Sequence, residues 1–321
     1  MSGGESAIRA AFEEAGVRPP NFFIVGAPKC GTTSMALSLR RHHDIFMSKN
    51  KEPLFFGSDL ETEAVKGRLD LGDYIELFRG SGDASRLGEA SVWYLRSKDA
   101  PVEILEFAPD ARVIVMLRNP VEVLQSFHAQ ALRSGIEDLR DLGEALAAEP
   151  DRRRKLHSQQ RLRYPGRLLY SEVVRFSSQL GRYYEVFQRS AVHVVLYDDI
   201  LRDPTGVMRT AQEFLGVQFD EELHLSHANQ GRVVRNLRLQ ALIRQPPPKV
   251  RSVAHALLSR ALRARIGRRM LRGLQAVNVR NVKPTPMSDH LRAQLTDRFR
   301  PEVESLSKIL GRDLSEWLKV R

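Results

Sequence analysis

The sequence predicts one α/β domain, a parallel sheet flanked by helices, and three observations carry that expectation. Short apolar runs at 22–26, 112–117 and 192–197 read as strands, and segments of helical periodicity separate them. A glycine-bounded turn joins the first run to a helix. The chain of 321 residues is long enough to bury a full core, and its one obvious break, the PPP triplet at 246–248, is too short to link two domains. The expected division is a core over 20–220, a basic region over 223–288 and a last helix over 288–318, within a single domain spanning 1–321.

The first element is Phe22, Phe23, Ile24 and Val25, a buried strand. Gly26, Pro28 and Gly31 force a tight loop, and Thr32 to Leu39 opens a helix. A strand, a glycine loop and a helix N-terminus together offer backbone N–H groups and a positive dipole end to an anion. The spacing Gly26-x4-Gly31 invites comparison with the triphosphatase loop GxxxxGK[ST]. The residue after the second glycine is Thr32 rather than lysine, and the loop's only lysine is Lys29. Thr33 stands where a magnesium-binding hydroxyl belongs, but a lone hydroxyl holds no metal without a carboxylate.

The second element is ARVIVMLRNPVEVLQSF, 111–127. Val113 to Leu117 is a continuous apolar run, as in a strand buried on both faces. A triphosphatase strand of this kind ends in aspartate; here it ends in Arg118. Pro120 then starts a helix in its favoured first-turn position, with Val121, Leu124, Phe127 and Ala131 at helical spacing and Ser126 two turns in. A cation replacing the metal carboxylate points to a second phosphate bound directly by protein. Farther on, YSEVVRFSSQLGRYYEVF (170–187) reads as one long helix, and a last helix over 288–310 starts at Ser288 with Asp289 in its first turn.

These two landmarks resemble the sulfotransferases that use 3′-phosphoadenosine 5′-phosphosulfate (PAPS). The resemblance continues through KEPLFF (51–56), GEASVWYL (88–95), YDDILRDPTGVMRTAQEFLGV (197–217) and LSKILGRDLSEWL near the C-terminus. The pattern is most similar to the branch with the heparan sulfate sulfotransferases and many bacterial sulfotransferase-domain proteins. It implies a P-loop-nucleotide-hydrolase-like fold. It implies that Lys29 neutralises the leaving phosphate and that the loop, Lys29, Cys30, Gly31, Thr32, Thr33 and Ser34, holds the 5′-phosphosulfate. Arg118 and Ser126 would hold the 3′-phosphate, and Glu52 would be the general base, with Glu89 the second choice. PAPS is then the co-substrate, 3′-phosphoadenosine 5′-phosphate (PAP) the product, and no metal is required. The chain departs from the branch at Leu54, Gly57 and Ala90, where histidine, aspartate and a functional lysine are usual; these departures bear on the acceptor more than on the transfer. The acceptor expected is a carbohydrate, lipid or small molecule.

Charge is unevenly placed. From Leu223 to Ser288 there are 14 Lys and Arg and no Asp or Glu, against +11 for the whole chain, so the remainder carries −3. Within it, HANQGRVVRNLRL (227–239) falls where the family resembled has its nucleotide-covering loop, which makes Arg232, Arg235 and Asn236 candidates for 3′-phosphate contact. The stretch after PPP, 249–274, reads as a basic amphipathic helix: a core-packed element, a lid over the acceptor site or a foothold on a membrane surface. The region lacks aromatic residues, so no nucleic-acid partner is expected. A second basic cluster at 151–167 either shapes a pocket for an anionic acceptor or is a loop between helices.

No 18-residue apolar run or signal-peptide core is present, and the single Cys30 forms no internal disulfide, so a soluble cytoplasmic, bacterial-type enzyme is expected. Donors around Cys30 would favour its thiolate. None of His42, His43, His128 or His193 has metal-ligand spacing, and His193 reads as an edge or satisfied core residue. Two other readings stay open: a phosphotransferase, for which Asp198 and Asp199 are the available strand-end carboxylates, and a non-enzymatic module binding nucleic acid or anionic membrane.

Overall fold

The computed structural model describes residues 3–60, 69–157, 165–225, 233–234, 279–280 and 287–320. Five strands, β1 (Phe22–Gly26), β2 (Ile45–Met47), β3 (Arg86–Ala90), β4 (Arg112–Leu117) and β5 (Val192–Leu196), form an all-parallel sheet in the order β2-β3-β1-β4-β5. β1 is central and β4 adjoins it, which is why both read as unbroken apolar runs: Phe22 to Val25 and Val113 to Leu117 are fully buried. The strand order reverses at β1, with β2 and β3 to one side and β4 and β5 to the other. In open parallel sheets ligands bind beyond the carboxyl ends of the strands at such a switch point.

β2 and β3 do not announce themselves in the sequence. β2 is three residues long, and β3 (RLGEA) carries a glycine and a glutamate. Packing explains Gly88: a Cβ there would lie 2.1 Å from Cζ of Phe22 on the neighbouring strand. The ring occupies the space a side chain would need.

Helices cover the sheet: α1 (Gly3–Glu14), α2 (Thr32–Leu39), α3 (Leu71–Glu76), α4 (Ala100–Phe107), α5 (Pro120–Ser134), α6 (Leu142–Ala147), α7 (Glu149–His157), α8 (Tyr170–Val173), α9 (Phe176–Val186), α10 (Tyr197–Arg202) and α11 (Pro204–Leu215). Phe12 anchors α1 in an aromatic cluster, edge-on to Tyr74 at 6.0 Å and tilted against Phe107 at 5.8 Å. The helix expected over 170–187 is two. α8 stops at Val173, Gln179 Nε2 donates to the Glu172 carbonyl at 2.7 Å, and Glu302 accepts from the Ser177 amide and hydroxyl at the start of α9. Side chains thus take over the backbone groups an unbroken helix would pair internally. The C-terminal helix Asp289–Leu310 begins as expected, with the Ser288 hydroxyl accepting from Leu291 N–H at 3.3 Å.

The chain then turns back toward the sheet. Trp317 Nε1 donates to Asp198 at 2.7 Å, Asn119 Nδ2 donates to the Trp317 carbonyl at 3.0 Å, and Arg312 pairs with Asp199. These contacts tie the C-terminal segment to the residues that follow β4 and β5. The first part of the 151–167 cluster is helical, in α7, and Arg152 is buried against Glu137 at 2.9 Å rather than solvated. Among the described residues no helix is long and apolar enough to cross a membrane. The basic helix expected over 249–274 lies outside the described residues.

Candidate active site

β1 breaks at Gly26 because no side chain fits: a Cβ would lie 2.6 Å from Leu95 Cβ and 2.8 Å from the Val92 carbonyl oxygen, on a backbone with φ +155. The Ala27 amide then donates to the Met116 carbonyl at 2.6 Å, binding the loop to β4. Lys29 stands at φ 68, and Gly31 at φ 92 caps α2. No side chain caps that helix and no acidic residue lies in its first turn. The amides of Thr32, Thr33 and Ser34 therefore form a helix N-terminus that the helix itself leaves open to an anion.

Lys29 is ringed by positive charge. Its ammonium donates to Gln130 Oε1 at 3.0 Å, an amide rather than a carboxylate. Burial, then the nearby charges of Arg133, Arg118 and Lys51, lower its pKa to about 8. Arg118, half-buried at the end of β4, donates from Nε to Glu122 at 2.8 Å, and its guanidinium lies 4.4 Å from the centre of the Tyr197 ring. Strand register makes that contact: Leu117 of β4 pairs with Leu196 of β5, so the next residues are neighbours.

α5 joins the two cations. Asn119 caps it by accepting from Val121 N–H at 2.9 Å, and Val121, Leu124, Phe127 and Ala131 are buried as their spacing predicts. Glu122, Ser126 and Gln130 recur at i, i+4 and i+8 on a second stripe. The first touches Arg118 and the last touches Lys29, so Ser126 lies on the helix face between them. Arg118, Ser126, the loop and Lys29 thus gather beyond the carboxyl ends of β1 and β4. The family resemblance assigned no site role to Gln130, Arg133, Lys51 or Tyr197, though Lys51 and Tyr197 open segments that carry it. The helical stripe through Ser126 points to Gln130, whereas Tyr197 requires the β4–β5 pairing.

Cys30 requires a correction. It is fully buried beneath the loop, its thiol donates to the Pro28 carbonyl at 3.5 Å, and burial pushes it up to about 12, outweighing nearby Arg118 and Lys29. The thiol is neutral, and its side chain faces the core rather than the loop's concave side.

The KEPLFF segment arches over the carboxyl end of β3. Glu52 and Leu54 both have left-handed backbones, φ 61 and 53, which non-glycine residues hold only where the surroundings impose it. The Glu52 amide donates to the Ala90 carbonyl at 2.9 Å, and its carboxylate accepts from Val92 N–H at 3.0 Å and pairs with Lys51. The Glu52 side chain is 32% exposed, so it is held yet open to solvent. Glu89, the second choice of base, differs: it is wholly buried and Tyr74 donates to it at 2.6 Å. No acceptor in solvent reaches it.

Other candidates are committed elsewhere. Asp198 and Asp199, which a phosphotransferase needs for magnesium, hold Trp317 and Arg312. His42, His43 and Asp44 offer ligand atoms within 4.8 Å of one another, but the His42 ring already meets the Gln218 carbonyl at 2.8 Å and the Asp44 amide at 3.0 Å. These residues lie beyond the end of α2, which stops at Leu39. His128 is buried on the Leu139 carbonyl at 2.8 Å. His193, on edge strand β5, stacks on Phe214 at 5.1 Å with its Nε2 buried and without a hydrogen-bond partner among the described residues, so it is an edge residue but not a satisfied one there. Arg232, Arg235 and Asn236 lie outside the described residues. The backbone of Val233–Val234 between them runs beside α5 and pairs with Val279–Arg280.

Beyond this site, the segments that carry Glu52 and Val92 run on into the wall of a cavity of about 380 Å³. Arg96, Lys98, Arg153, Arg175 and Arg182 line it, against the acidic Asp59 and Glu172.

The sulfotransferase domain family model matches residues 19–242. A sulfotransferase from Alicyclobacillus acidocaldarius shares the fold over 94% of this chain and 100% of its own, with a TM-score of 0.69 and 28% identity. Carbohydrate sulfotransferase 15 of Homo sapiens is 31% identical over 33% of this chain and 26% of its own length. The heparan sulfate glucosamine 3-O-sulfotransferase 6 of Homo sapiens is 27% identical over 63% of this chain and 53% of its own length. The bifunctional heparan sulfate N-deacetylase/N-sulfotransferase 1 of Xenopus laevis is 27% identical over 64% and 23%. The chain therefore matches about a quarter to a half of the length of these curated relatives.

Proposed function

This chain belongs to the sulfotransferase domain family, and from that premise we propose that it transfers a sulfonate group from PAPS to a hydroxyl or amine, with protein cations in place of a metal. The observation that carries the reading is the setting of Lys29. It lies at an uncapped helix N-terminus, among Arg118, Arg133 and Lys51, and among the described residues its hydrogen-bond partner is an amide. Such a cluster is complementary to a multiply charged anion.

In the proposed step the acceptor oxygen or nitrogen forms a bond to sulfur while the bond from sulfur to the bridging oxygen breaks. The electron pair leaves on the 5′-phosphate, where Lys29 and the amides of Gly31 to Ser34 meet the developing charge. The acceptor's proton passes to Glu52, held in place by Val92 N–H. Arg118 and Ser126 take the 3′-phosphate, which fixes the donor in line.

The acceptor is proposed to be a carbohydrate or related compound bearing an acidic group. The cavity with five cationic and two acidic side chains supports this, and so do the relatives named for carbohydrate and heparan sulfate sulfation. The test is PAP release from PAPS across matched neutral and carboxylated or sulfated sugars. Release that depends on an acidic acceptor and stops in Lys29→Ala is expected. Equal use of neutral and acidic sugars would remove the acidic-acceptor assignment, and release unaffected by Lys29→Ala would remove the mechanism.

A further inference from the structure

Glu89 is a carboxyl buried without an ion-pair partner among the described residues. Tyr74 donates to its Oε2 at 2.6 Å, and the hydroxyls of Ser91 and Tyr94 lie close enough to stabilise its charged form. Its Oε1 nevertheless lacks a partner in full hydrogen-bond geometry. A buried polar group in this condition calls for a reason.

The reason lies in what else those three residues touch. Ser91 Oγ accepts from Leu54 N–H at 3.3 Å, and the Tyr94 hydroxyl accepts from Phe56 N–H at 3.1 Å. The Tyr74 ring stacks on Phe55, with centroids 4.0 Å apart and planes 4° from parallel, and meets Phe56 edge-on at 5.8 Å. Each hydroxyl neighbour of Glu89 is therefore also a support of the arch that carries Glu52. Tyr74 donates its proton to Glu89, and the Ser91 and Tyr94 hydroxyls, which accept from the arch amides, lie beside the same carboxyl; polar groups linked in this way reinforce one another. The left-handed backbones of Glu52 and Leu54 are what this scaffold has to hold.

We propose that Glu89 is a positioning residue which, through the hydroxyls of Tyr74, Ser91 and Tyr94, fixes the Glu52–Phe56 arch so that Glu52 faces the acceptor. This rests on the reading of Glu52 as the base. Among the described residues the other charged group that bears on Glu89 is Glu52 itself, with Lys51 as its partner.

The test uses the full chain and compares Glu89→Gln, which keeps shape and an acceptor oxygen, with Glu89→Leu, which keeps size alone. Amide hydrogen exchange at Leu54 and Phe56 is read in the free protein, PAP affinity by titration, and PAP release with PAPS across pH 5.5–9. Glu89→Leu should speed exchange at both amides about tenfold or more and slow PAP release, with PAP affinity within about twofold of the parent. Glu89→Gln should restore most of the release and lose any pH step near 7 that the parent shows. Ser91→Ala, a second variant should Glu89→Leu not fold, should loosen Leu54 more than Phe56. Unchanged exchange in Glu89→Leu, or a parallel loss of PAP affinity, would overturn the proposal. The exchange readout needs no turnover, so an active Glu52→Gln would remove the base assignment while leaving the scaffold result legible.

Discussion

Lys29 and Gln130, 101 residues apart in sequence, meet at 3.0 Å across the space between the β1 loop and α5. The partner is neutral, and burial, then the neighbouring cations, lower the ammonium's pKa to about 8. An anion bound beside it reverses that balance. Donor-nucleotide binding should therefore take up a proton, and affinity should fall by up to about tenfold per unit as pH rises above 8. Gln130→Glu puts a carboxylate on Lys29; PAP affinity should drop about tenfold or more, with the alkaline limb moved upward. Affinity independent of pH from 7 to 10 would contradict this.

Arg118 is held by Glu122 and the Tyr197 ring, so its truncation removes a positioned cation rather than a mobile one. Arg118→Ala should weaken PAP binding by about 1.5–3 kcal/mol, the range for a charged hydrogen bond, and change AMP binding much less. Equal losses for both nucleotides, measured by titration, would take Arg118 out of the 3′-phosphate site.

Glu52→Gln keeps a side-chain acceptor for Val92 N–H but removes the base. PAP release with a true acceptor should fall by about 100- to 10,000-fold at unchanged PAP affinity. Full turnover would reassign the base.

Glu89 should make stability depend on pH. Burial raises its carboxyl from 4.5 to about 7. Between those values the folded state binds more protons than the unfolded state, so stability falls as pH rises through that window, by an amount on the order of 3 kcal/mol. Glu89→Gln cannot titrate. Its Tm relative to the parent should rise between pH 4.5 and 7 and then level off; parallel pH profiles would show that the carboxyl does not titrate there.

What the sequence makes legible follows from burial. β1 and β4 are enclosed on both faces, so their side chains are apolar throughout and the strands read directly. Pro120 and the spacing of Val121, Leu124, Phe127 and Ala131 likewise reveal α5, because local rules govern a helix N-terminus and its buried face. β3 escapes the same reading. Its Gly88 makes room for Phe22, a neighbour only after the sheet forms, and its Glu89 is tolerated because Tyr74 arrives from α3. Cys30 shows the same limit from the other side: the sequence sets it among hydrogen-bond donors, but burial under the loop decides its charge. The loop, Arg118, Ser126 and Glu52 are legible through spacing and family resemblance. Gln130 and Tyr197 join them only through helix and strand geometry.

The central claim is that Lys29 and Arg118 bind the two phosphate ends of one adenine nucleotide directly. The measurement that tests it most directly is calorimetric titration with PAP in the absence of divalent metal, beside AMP and ATP–Mg²⁺. Metal-free binding of PAP that is lost when the 3′-phosphate is removed is the predicted result. Failure of PAP to bind, with magnesium-dependent binding of ATP instead, would contradict it.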